Sequence, residues 1–155
     1  MRLVLQRVSE AKVTVEGKVT GEIEEGFLIL AGFGGEDSAE LPTEKVWDVI
    51  LNKILDLRVF SDDQGKMNLS LRDIKGGLLI VSQFTLYATC KKGRRPSFSK
   101  AAPPQLAEAL YDTFVEEMKK RAPAKVETGI FGADMDVSLN NQGPVTIILE
   151  DKDFR

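Results

Sequence analysis

Residues 76–85 read Gly-Gly-Leu-Leu-Ile-Val-Ser-Gln-Phe-Thr, an apolar run that two glycines open and polar residues close. A short continuous apolar run with such boundaries predicts a buried strand. Phe27 to Gly32 is a second run of the same kind, also bounded by glycines. Both strands need other elements to cover them, and the rest of the chain offers further strands and two helices.

The N-terminal region has the pattern of strands. Arg2 to Val8 and Lys12 to Val15 alternate apolar and polar residues, and Glu16-Gly17-Lys18 has the composition of a tight hairpin turn. Later strands are predicted at Leu57 to Phe60, over the alternating Met67, Leu69 and Leu71, and at Val126 to Phe131, Met135 to Leu139 and Val145 to Leu149, with a turn over Asn140 to Pro144.

Two helices are predicted. The first begins near Thr43, and its apolar residues recur at three- and four-residue spacings: Val46, Trp47, Ile50, Ile54 and Leu55. The second runs from about Pro104 to Arg121, between a proline start and a following Ala122-Pro123, after a long loop from Ala88 to Pro103. This order of elements predicts a mixed α/β protein, one domain over residues 1–155, whose helices cover one face of a sheet.

Composition narrows the possible chemistry. The 155 residues include no histidine, which excludes Ser-His-Asp and Cys-His catalysis and zinc sites built on histidine. Cys90 is the single cysteine; Lys91 and Lys92 beside it leave open that it is reactive, against the simpler interpretation of a small half-buried residue. The chain has no apolar run of the ~18 residues that a membrane helix needs and carries charge too early for a signal peptide, so the predicted location is the cytoplasm.

A basic loop stands out in a chain of net charge −3. Residues 91–100 read Lys-Lys-Gly-Arg-Arg-Pro-Ser-Phe-Ser-Lys, with five cations and no acid. Arginine forks bind phosphates bidentately, and each neutralised phosphate releases counterions, so the loop suits RNA. The alternative is a solvated surface loop that acids elsewhere balance.

Two further stretches carry polar groups at places where chemistry occurs. Ser82 to Leu86 follows a buried strand, and its hydroxyls, amide and backbone N–H groups could hold an oxyanion, or the stretch is an ordinary strand end. Asn141 to Thr146 contains Gly143-Pro144. A Gly-Pro bond tolerates the cis form and the glycine permits close approach, whereas the simpler interpretation is a plain hairpin turn.

Together these segments resemble the D-aminoacyl-tRNA deacylase family, whose signature motifs are Ser-Gln-Phe-Thr and Asn-x-Gly-Pro-x-Thr. The chain has both without departure, at Ser82 to Thr85 and at Asn141 to Thr146. The resemblance covers nearly the whole chain through four more stretches in the same order: Gln6-Arg7-Val8, Lys66-Met67-Asn68-Leu69, Arg95-Pro96-Ser97-Phe98 and Phe131-Gly132-Ala133-Asp134-Met135.

The resemblance implies a three-layer α/β/β fold with largely antiparallel sheets and two helices packed on one face. It also implies a homodimer with its sites at the interface, aminoacyl-tRNA as substrate, no metal or other cofactor, and no binding of membranes or DNA. By the same resemblance, Ser82, Gln83, Phe84 and Thr85 line the pocket around the ester and form the catalytic group.

The remaining site residues follow from the same resemblance. Gly143-Pro144, with Asn141 in the same motif, enters the partner's pocket as a cis peptide and selects D from L substrates, with Arg7 as the family arginine that supports it. Such a steric filter cannot exclude glycine, so glycyl-tRNA is an expected substrate too. The tRNA itself is expected to bind the basic loop through Lys91, Lys92, Arg94, Arg95 and Lys100.

Two mechanisms stay open. An aminoacyl ester is already activated, so the enzyme needs orientation and oxyanion stabilisation more than a strong base. Thr85 could be a nucleophile, although the sequence places no base near it. In the favoured alternative, backbone N–H groups around Gln83 and Phe84 hold the carbonyl while the 2′-hydroxyl of the tRNA or a water reacts. The competing classes are a non-catalytic RNA-binding module and a cysteine-dependent enzyme that uses Cys90.

Overall fold

The computed structural model describes residues 1–155 and contains eight strands and three helices. The strands are β1 Arg2–Val15, β2 Lys18–Ile23, β3 Gly26–Gly32, β4 Phe60–Ser61, β5 Met67–Leu69, β6 Gly77–Ser82, β7 Val126–Thr128 and β8 Asp136–Glu150. The helices are α1 Lys45–Asp56, α2 Leu71–Ile74 and α3 Pro104–Arg121. None of the helices combines the length and the hydrophobicity that crossing a membrane requires.

Strand β1 organises the main sheet. On one side it pairs antiparallel with β3 through its first half and with β2 through its second half, and on the other side it pairs antiparallel with β8. The sheet continues from β3 through the parallel strands β6 and β7. Strands β4 and β5 form a separate small hairpin. The fold is therefore a mixed α/β fold with a mostly antiparallel sheet, as the sequence predicted.

Two hydrophobic clusters cover the two faces of the central strands. Phe27 and Ile29 of β3 belong to a cluster of 27 buried residues that includes the apolar faces of α1 and α3, whereas Leu28 faces a second cluster of 7. In β6, Ile80 and Val81 divide in the same way. Both strands are thus buried on both faces, as their continuous apolar runs predicted. The second half of β1 and strand β2 cover the second cluster, which makes the third layer.

Several boundaries predicted from the sequence are confirmed. The turn after β1 uses Glu16 and Gly17 at positive φ (49° and 77°), which is the backbone of a tight hairpin turn. Helix α3 spans Pro104 to Arg121 as predicted. Helix α1 begins at Lys45 rather than Thr43, because Leu41–Thr43 forms a separate 3-10 turn that ends at the extended residue Glu44.

Other strand predictions were wrong. The expected turn over Asn140 to Pro144 does not separate two strands, because β8 continues as one strand that pairs with β1 up to Asn141 and again from Thr146. The strand expected at Leu57 to Phe60 begins only at Phe60, and the strand expected to Phe131 ends at Thr128. Leu71 does not continue the alternation of β5. It begins α2, where a capping box joins the side chains and backbones of Ser70 and Asp73.

Cys90, expected to be half-buried, is exposed.

The first and last residues lie together at one corner of the sheet. The N-terminal ammonium of Met1 donates to Asp37 Oδ1 at 2.7 Å and to Asp151 Oδ1 at 2.6 Å, and Arg155 also donates to Asp151. Burial raises the pKa of Asp151, but the hydrogen bonds from the ammonium and from Arg155 outweigh this effect and hold the pKa below its ordinary value of 3.8.

Candidate active site

A cavity of about 450 Å³ opens at the C-terminal end of β6. Strand β6 runs two residues beyond its partner β7, which leaves its last residues and Gln83 and Phe84 without a neighbouring strand on that side. The gap is lined by the end of β6, the start of α3 and the segment that leads into β8: Val81, Ser82, Gln83, Phe84, Pro104, Ala107, Phe131, Gly132, Ala133, Asp134, Met135 and Val137. Three of the four residues of the Ser-Gln-Phe-Thr motif therefore line one cavity.

The backbone of this motif offers unpaired donors. The N–H of Gln83 donates to Ala31 O at 2.8 Å, which extends the sheet by one residue and removes this N–H from the candidate oxyanion donors. A 3-10 turn follows over Phe84–Tyr87, and its hydrogen bonds begin at Leu86, whose N–H donates to Gln83 O. The N–H groups of Phe84 and Thr85 lie outside this ladder, as the first donors of a helical turn do. Of the N–H groups expected around Gln83 and Phe84 as oxyanion donors, that of Gln83 is occupied and that of Phe84 is not.

Thr85 has no base beside it. Its Oγ1 accepts a hydrogen bond from Gln83 Nε2 at 2.5 Å, and a carboxamide cannot take a proton from a hydroxyl at neutral pH. Thr85 is exposed and does not line the cavity. Nearby Tyr87 cannot act as the base either, because burial, together with the charges of Asp37 and Asp151, raises the pKa of its phenol above the ordinary value.

The cavity wall is rigidly tied to α3. Tyr111 donates its hydroxyl hydrogen to Ile80 O at 2.8 Å, where β6 has its last pairing with β7, and its ring packs on Phe131 with centroids 5.8 Å apart. Burial raises the pKa of Tyr111, so the hydroxyl keeps its proton and this hydrogen bond. No group of three or more Cys, Asp or Glu side chains converges as a metal site anywhere in the chain.

The second motif forms a bulge on β8. Asn141 pairs with Val8 and Thr146 pairs with Gln6. Between these two pairs, β8 advances by five residues and β1 by only two. The extra residues protrude beside Arg7, and the Gly143–Pro144 peptide bond within them is cis. The side chain of Asn141 closes the bulge, since it accepts from Val145 N at 3.1 Å and donates to Thr146 Oγ1 at 3.0 Å.

Arg7 holds the bulge from the side of the core. It is only 8% exposed, and it donates from Nε to Gln142 O at 3.0 Å and from Nη1 to Val59 O at 2.6 Å. The third nitrogen lies beside Gly143, where a Cβ atom would come within 2.7 Å of Nη2. Because Gly143 also has φ +122°, only glycine fits this position without strain.

One chain does not bring the two motifs together. Ser82 is level with Leu3 of β1, whereas the bulge is level with Arg7, and three strand spacings separate β6 from β8. At about 3.3 Å per residue and about 4.8 Å per strand, the motifs lie roughly 20 Å apart. Gly143 and Pro144 are exposed, and no residue of the bulge lines the cavity.

The basic loop is exposed, and none of its five cations forms an ion pair. Lys91, Lys92, Arg94, Arg95 and Lys100 all face solvent, and every ion pair of the chain involves other residues. The loop is thus solvated, and no acidic side chain pairs directly with it, which is compatible with either interpretation of the sequence, an RNA-binding loop or a solvated surface loop. Reciprocal backbone hydrogen bonds between Thr89 and Ser97, at 2.8 and 2.9 Å, close the loop at its base.

Some lining residues were missed from the sequence. Phe131 to Met135 matched a short family stretch, but no role was assigned to it, and Pro104 and Ala107 were taken only as parts of a helix. Only their positions in the sequence could have indicated a role in the site. Phe131 to Met135 is a Gly-containing segment between two strands, and Pro104 and Ala107 lie at the start of the helix that follows the basic loop. Neither pattern indicates which face of the sheet the residues reach.

Comparison with known proteins gives consistent results. A family model described as D-Tyr-tRNA(Tyr) deacylase matches residues 4–150. The D-aminoacyl-tRNA deacylase of Solidesulfovibrio magneticus is 58% identical over 154 residues, covering 99% of this chain and 98% of the relative. The enzyme of the same name from Thermosipho melanesiensis is 55% identical over 152 residues, covering 98% of each chain.

Two solved structures share the fold. A protein described as c-Myc DNA unwinding element binding protein superposes with a TM-score of 0.85 at 41% identity, over 97% of this chain and 98% of that one. A probable eukaryotic D-amino acid tRNA deacylase superposes with a TM-score of 0.78 over 96% and 97% of the two chains. At 21% identity, the second likeness concerns the fold alone.

Proposed function

Because the chain belongs to the D-Tyr-tRNA(Tyr) deacylase family and is a hydrolase of D-aminoacyl-tRNA, we propose that it cleaves the ester with backbone groups of the Ser82–Thr85 motif. The observation that carries this proposal is the cavity beside Phe84, where the N–H group of Phe84 lies outside the hydrogen-bond ladder, the Thr85 hydroxyl has only a glutamine amide as its side-chain partner, and Asp134 is the one carboxylate in the lining. A non-catalytic RNA-binding module is not consistent with these relatives.

The reaction needs little from side chains. Water adds to the ester carbonyl, the N–H group of Phe84 at the cavity wall stabilises the oxyanion, and the ribose oxygen leaves with a proton as the C–O bond breaks. The neighbouring ribose hydroxyl of the tRNA orients the water or relays the proton. Ser82 and Gln83 hold the substrate from the cavity wall. Thr85 as a covalent nucleophile is the weaker alternative, because its only side-chain partner is a glutamine amide.

We propose further that the site is completed by a second subunit. The bulge with Gly143 and Pro144 is exposed and roughly 20 Å from the cavity of its own chain, which supports its placement in the cavity of a partner. β8 is also a 15-residue edge strand with one unpaired side, and its Ile148 side chain is 60% exposed. Native proteins cover such an edge or blunt it with charges, prolines or bulges, and the part of β8 beyond its bulge still exposes Ile148. Twice the chain mass in sedimentation at micromolar concentration supports this arrangement; a fully selective monomer contradicts it.

The bulge is proposed as the chiral filter. A backbone held by Arg7 and Asn141 gives a surface of fixed shape, and Gly143 presents no side chain to a ligand. Such a surface leaves room for a hydrogen at one position of the α-carbon, so an L side chain collides and a D side chain points outward. Glycine carries hydrogen at both positions and passes the same filter.

The basic loop is proposed to bind the tRNA body, since its cations are exposed and unpaired. Cleavage then takes place where tRNA is aminoacylated, which is the cytoplasm. A single domain over residues 1–155 accounts for both hydrophobic clusters, because they share the strands of one sheet.

The test compares D-alanyl-, glycyl- and L-alanyl esters on one tRNA body in the presence of a chelator. We expect cleavage of the first two and sparing of the third. If glycyl-tRNA is spared as completely as L-alanyl-tRNA, the site recognises the D side chain positively and the steric filter is wrong. If the chelator abolishes cleavage of D-alanyl-tRNA, a backbone mechanism without metal is wrong.

A further inference from the structure

The cavity has an aromatic extension that the proposed reaction does not use. Phe98 lies at the end of the basic loop, edge to face with Phe84 of the Ser-Gln-Phe-Thr motif, with ring centroids 4.9 Å apart. The two rings are 40% and 53% exposed. Phe84 lines the cavity, whereas Phe98 does not. The two rings therefore form a continuous apolar surface that extends from the cavity to the basic loop.

The backbone fixes the position of Phe98. Ser97 exchanges two hydrogen bonds with Thr89, and Phe98 O accepts from Ala101 N at 3.0 Å. The chain then continues into a bridge between Ala101 and Gly34, next to the end of β3. Because the backbone of this segment is already ordered, little conformational entropy is lost there when a ligand binds to the exposed ring of Phe98.

We propose that Phe98 is a stacking surface for the unpaired nucleobase next to the terminal adenosine of the tRNA. The proposal rests on the proposed function, in which the terminal aminoacyl-adenosine lies against Ser82 to Phe84. The next nucleotide then leaves the cavity across Phe84, toward the loop. There it meets an aromatic side chain in the same loop as five cations that have no acidic partner.

This combination of groups favours RNA over a protein partner. Single-stranded nucleic acid is commonly bound by aromatic side chains that stack on bases and by cations that follow the phosphates. Stacking tolerates every base, because each has a π-face. Phe98 would thus help to bind the acceptor end of any tRNA without reading its sequence, while a fully base-paired end could not reach the ring.

The experiment uses the whole protein and a graded set of substrates: D-alanyl-adenosine, the D-alanyl ester of a CCA trinucleotide, and D-alanyl-tRNA. Phe98→Leu keeps an apolar contact with Phe84 but removes the π-face, and Phe98→Tyr keeps both. From the usual effect of losing one stacked base, we expect Phe98→Leu to raise KM about 5- to 150-fold on the trinucleotide and on tRNA. Its kcat and its turnover of D-alanyl-adenosine should stay at the wild-type level, and Phe98→Tyr should resemble wild type throughout.

Each other result has a separate meaning. Equal loss on D-alanyl-adenosine would make Phe98 a positioning residue for Phe84 and overturn the stacking site. A change of sedimenting mass in Phe98→Leu would assign the ring to a subunit contact and overturn it as well. Failure of wild-type protein to cleave D-alanyl-adenosine would instead count against the proposed site around Ser82 to Phe84, and thermal melts of both variants verify that they fold.

Discussion

Arg7→Lys is the sharpest test of how the chiral filter is held. Lysine keeps the positive charge and nearly the length of Arg7, but a single ammonium cannot span Val59 O and Gln142 O from the position that the guanidinium occupies. One charge-assisted hydrogen bond is lost, and such a bond contributes about 1.5–3 kcal/mol. For a chain of this size we expect Tm to fall by roughly 3–12 °C.

The same change should weaken discrimination. If the weaker support of the bulge lowers the activation free energy for the L substrate by about 1.4 kcal/mol, hydrolysis of L-alanyl-tRNA rises about tenfold relative to D-alanyl-tRNA. The assay measures kcat/KM for both esters on one tRNA body, together with a thermal melt. Arg58→Lys is the matched control, because Arg58 is exposed and takes part in no hydrogen bond or ion pair.

The reasoning has two points of failure. A Tm equal to that of the control would mean that the two hydrogen bonds do not contribute to stability. A lower Tm with unchanged D-to-L discrimination would leave Arg7 as a structural residue only and refute its role in positioning Gly143.

Three other predictions concern the loop, the mechanism and the fold. Replacing both Arg94 and Arg95 by alanine should raise KM for aminoacyl-tRNA and flatten its salt dependence, with little change on D-alanyl-adenosine; equal loss on both substrates would move the loop into the catalytic centre. Thr85→Ala should retain measurable deacylation with no trappable acyl-enzyme, whereas an adduct on Thr85 seen by mass spectrometry would restore the nucleophile. Asp151→Asn should lower the free energy of unfolding at about pH 7. Since the native pKa of Asp151 lies below 3.8, the carboxylate stabilises the fold only while ionised, so urea titrations should show the gap to wild type closing below that pH; a constant gap would contradict this.

The sequence predicted best those elements whose signals are local. Pro104 and Ala122 mark both ends of α3, and the apolar runs at Phe27 and Leu78 identify strands buried on both faces. The start of α2 also had a local signal, since Ser70 and Asp73 have the spacing of a capping box, but the alternation of Met67, Leu69 and Leu71 suggested a strand instead.

Features that depend on distant pairing could not be predicted in this way. Asn140 to Pro144 have the composition of a turn, and only the long strand β1 beside them keeps β8 extended on both sides of the bulge. The N–H of Gln83 is occupied because Ala31 continues the ladder past the end of β6. That the two signature motifs lie far apart within one chain follows from strand order, which neither motif encodes.

This separation has a genetic consequence. A subunit with Gly143→Ala keeps an intact cavity but presents a damaged bulge, and a subunit with Phe84→Pro, which deletes one N–H donor, has the reverse defect. In the proposed dimer, a mixed pair joins both lesions at one site and leaves the other site wild type. Two alleles that each lack selective cleavage, one through the bulge and the other through the cavity, would therefore rescue one another in the same cell, and random pairing of equal amounts would restore about a quarter of the selective sites. A gene with such a product would show complementation between alleles, although it encodes a single short chain.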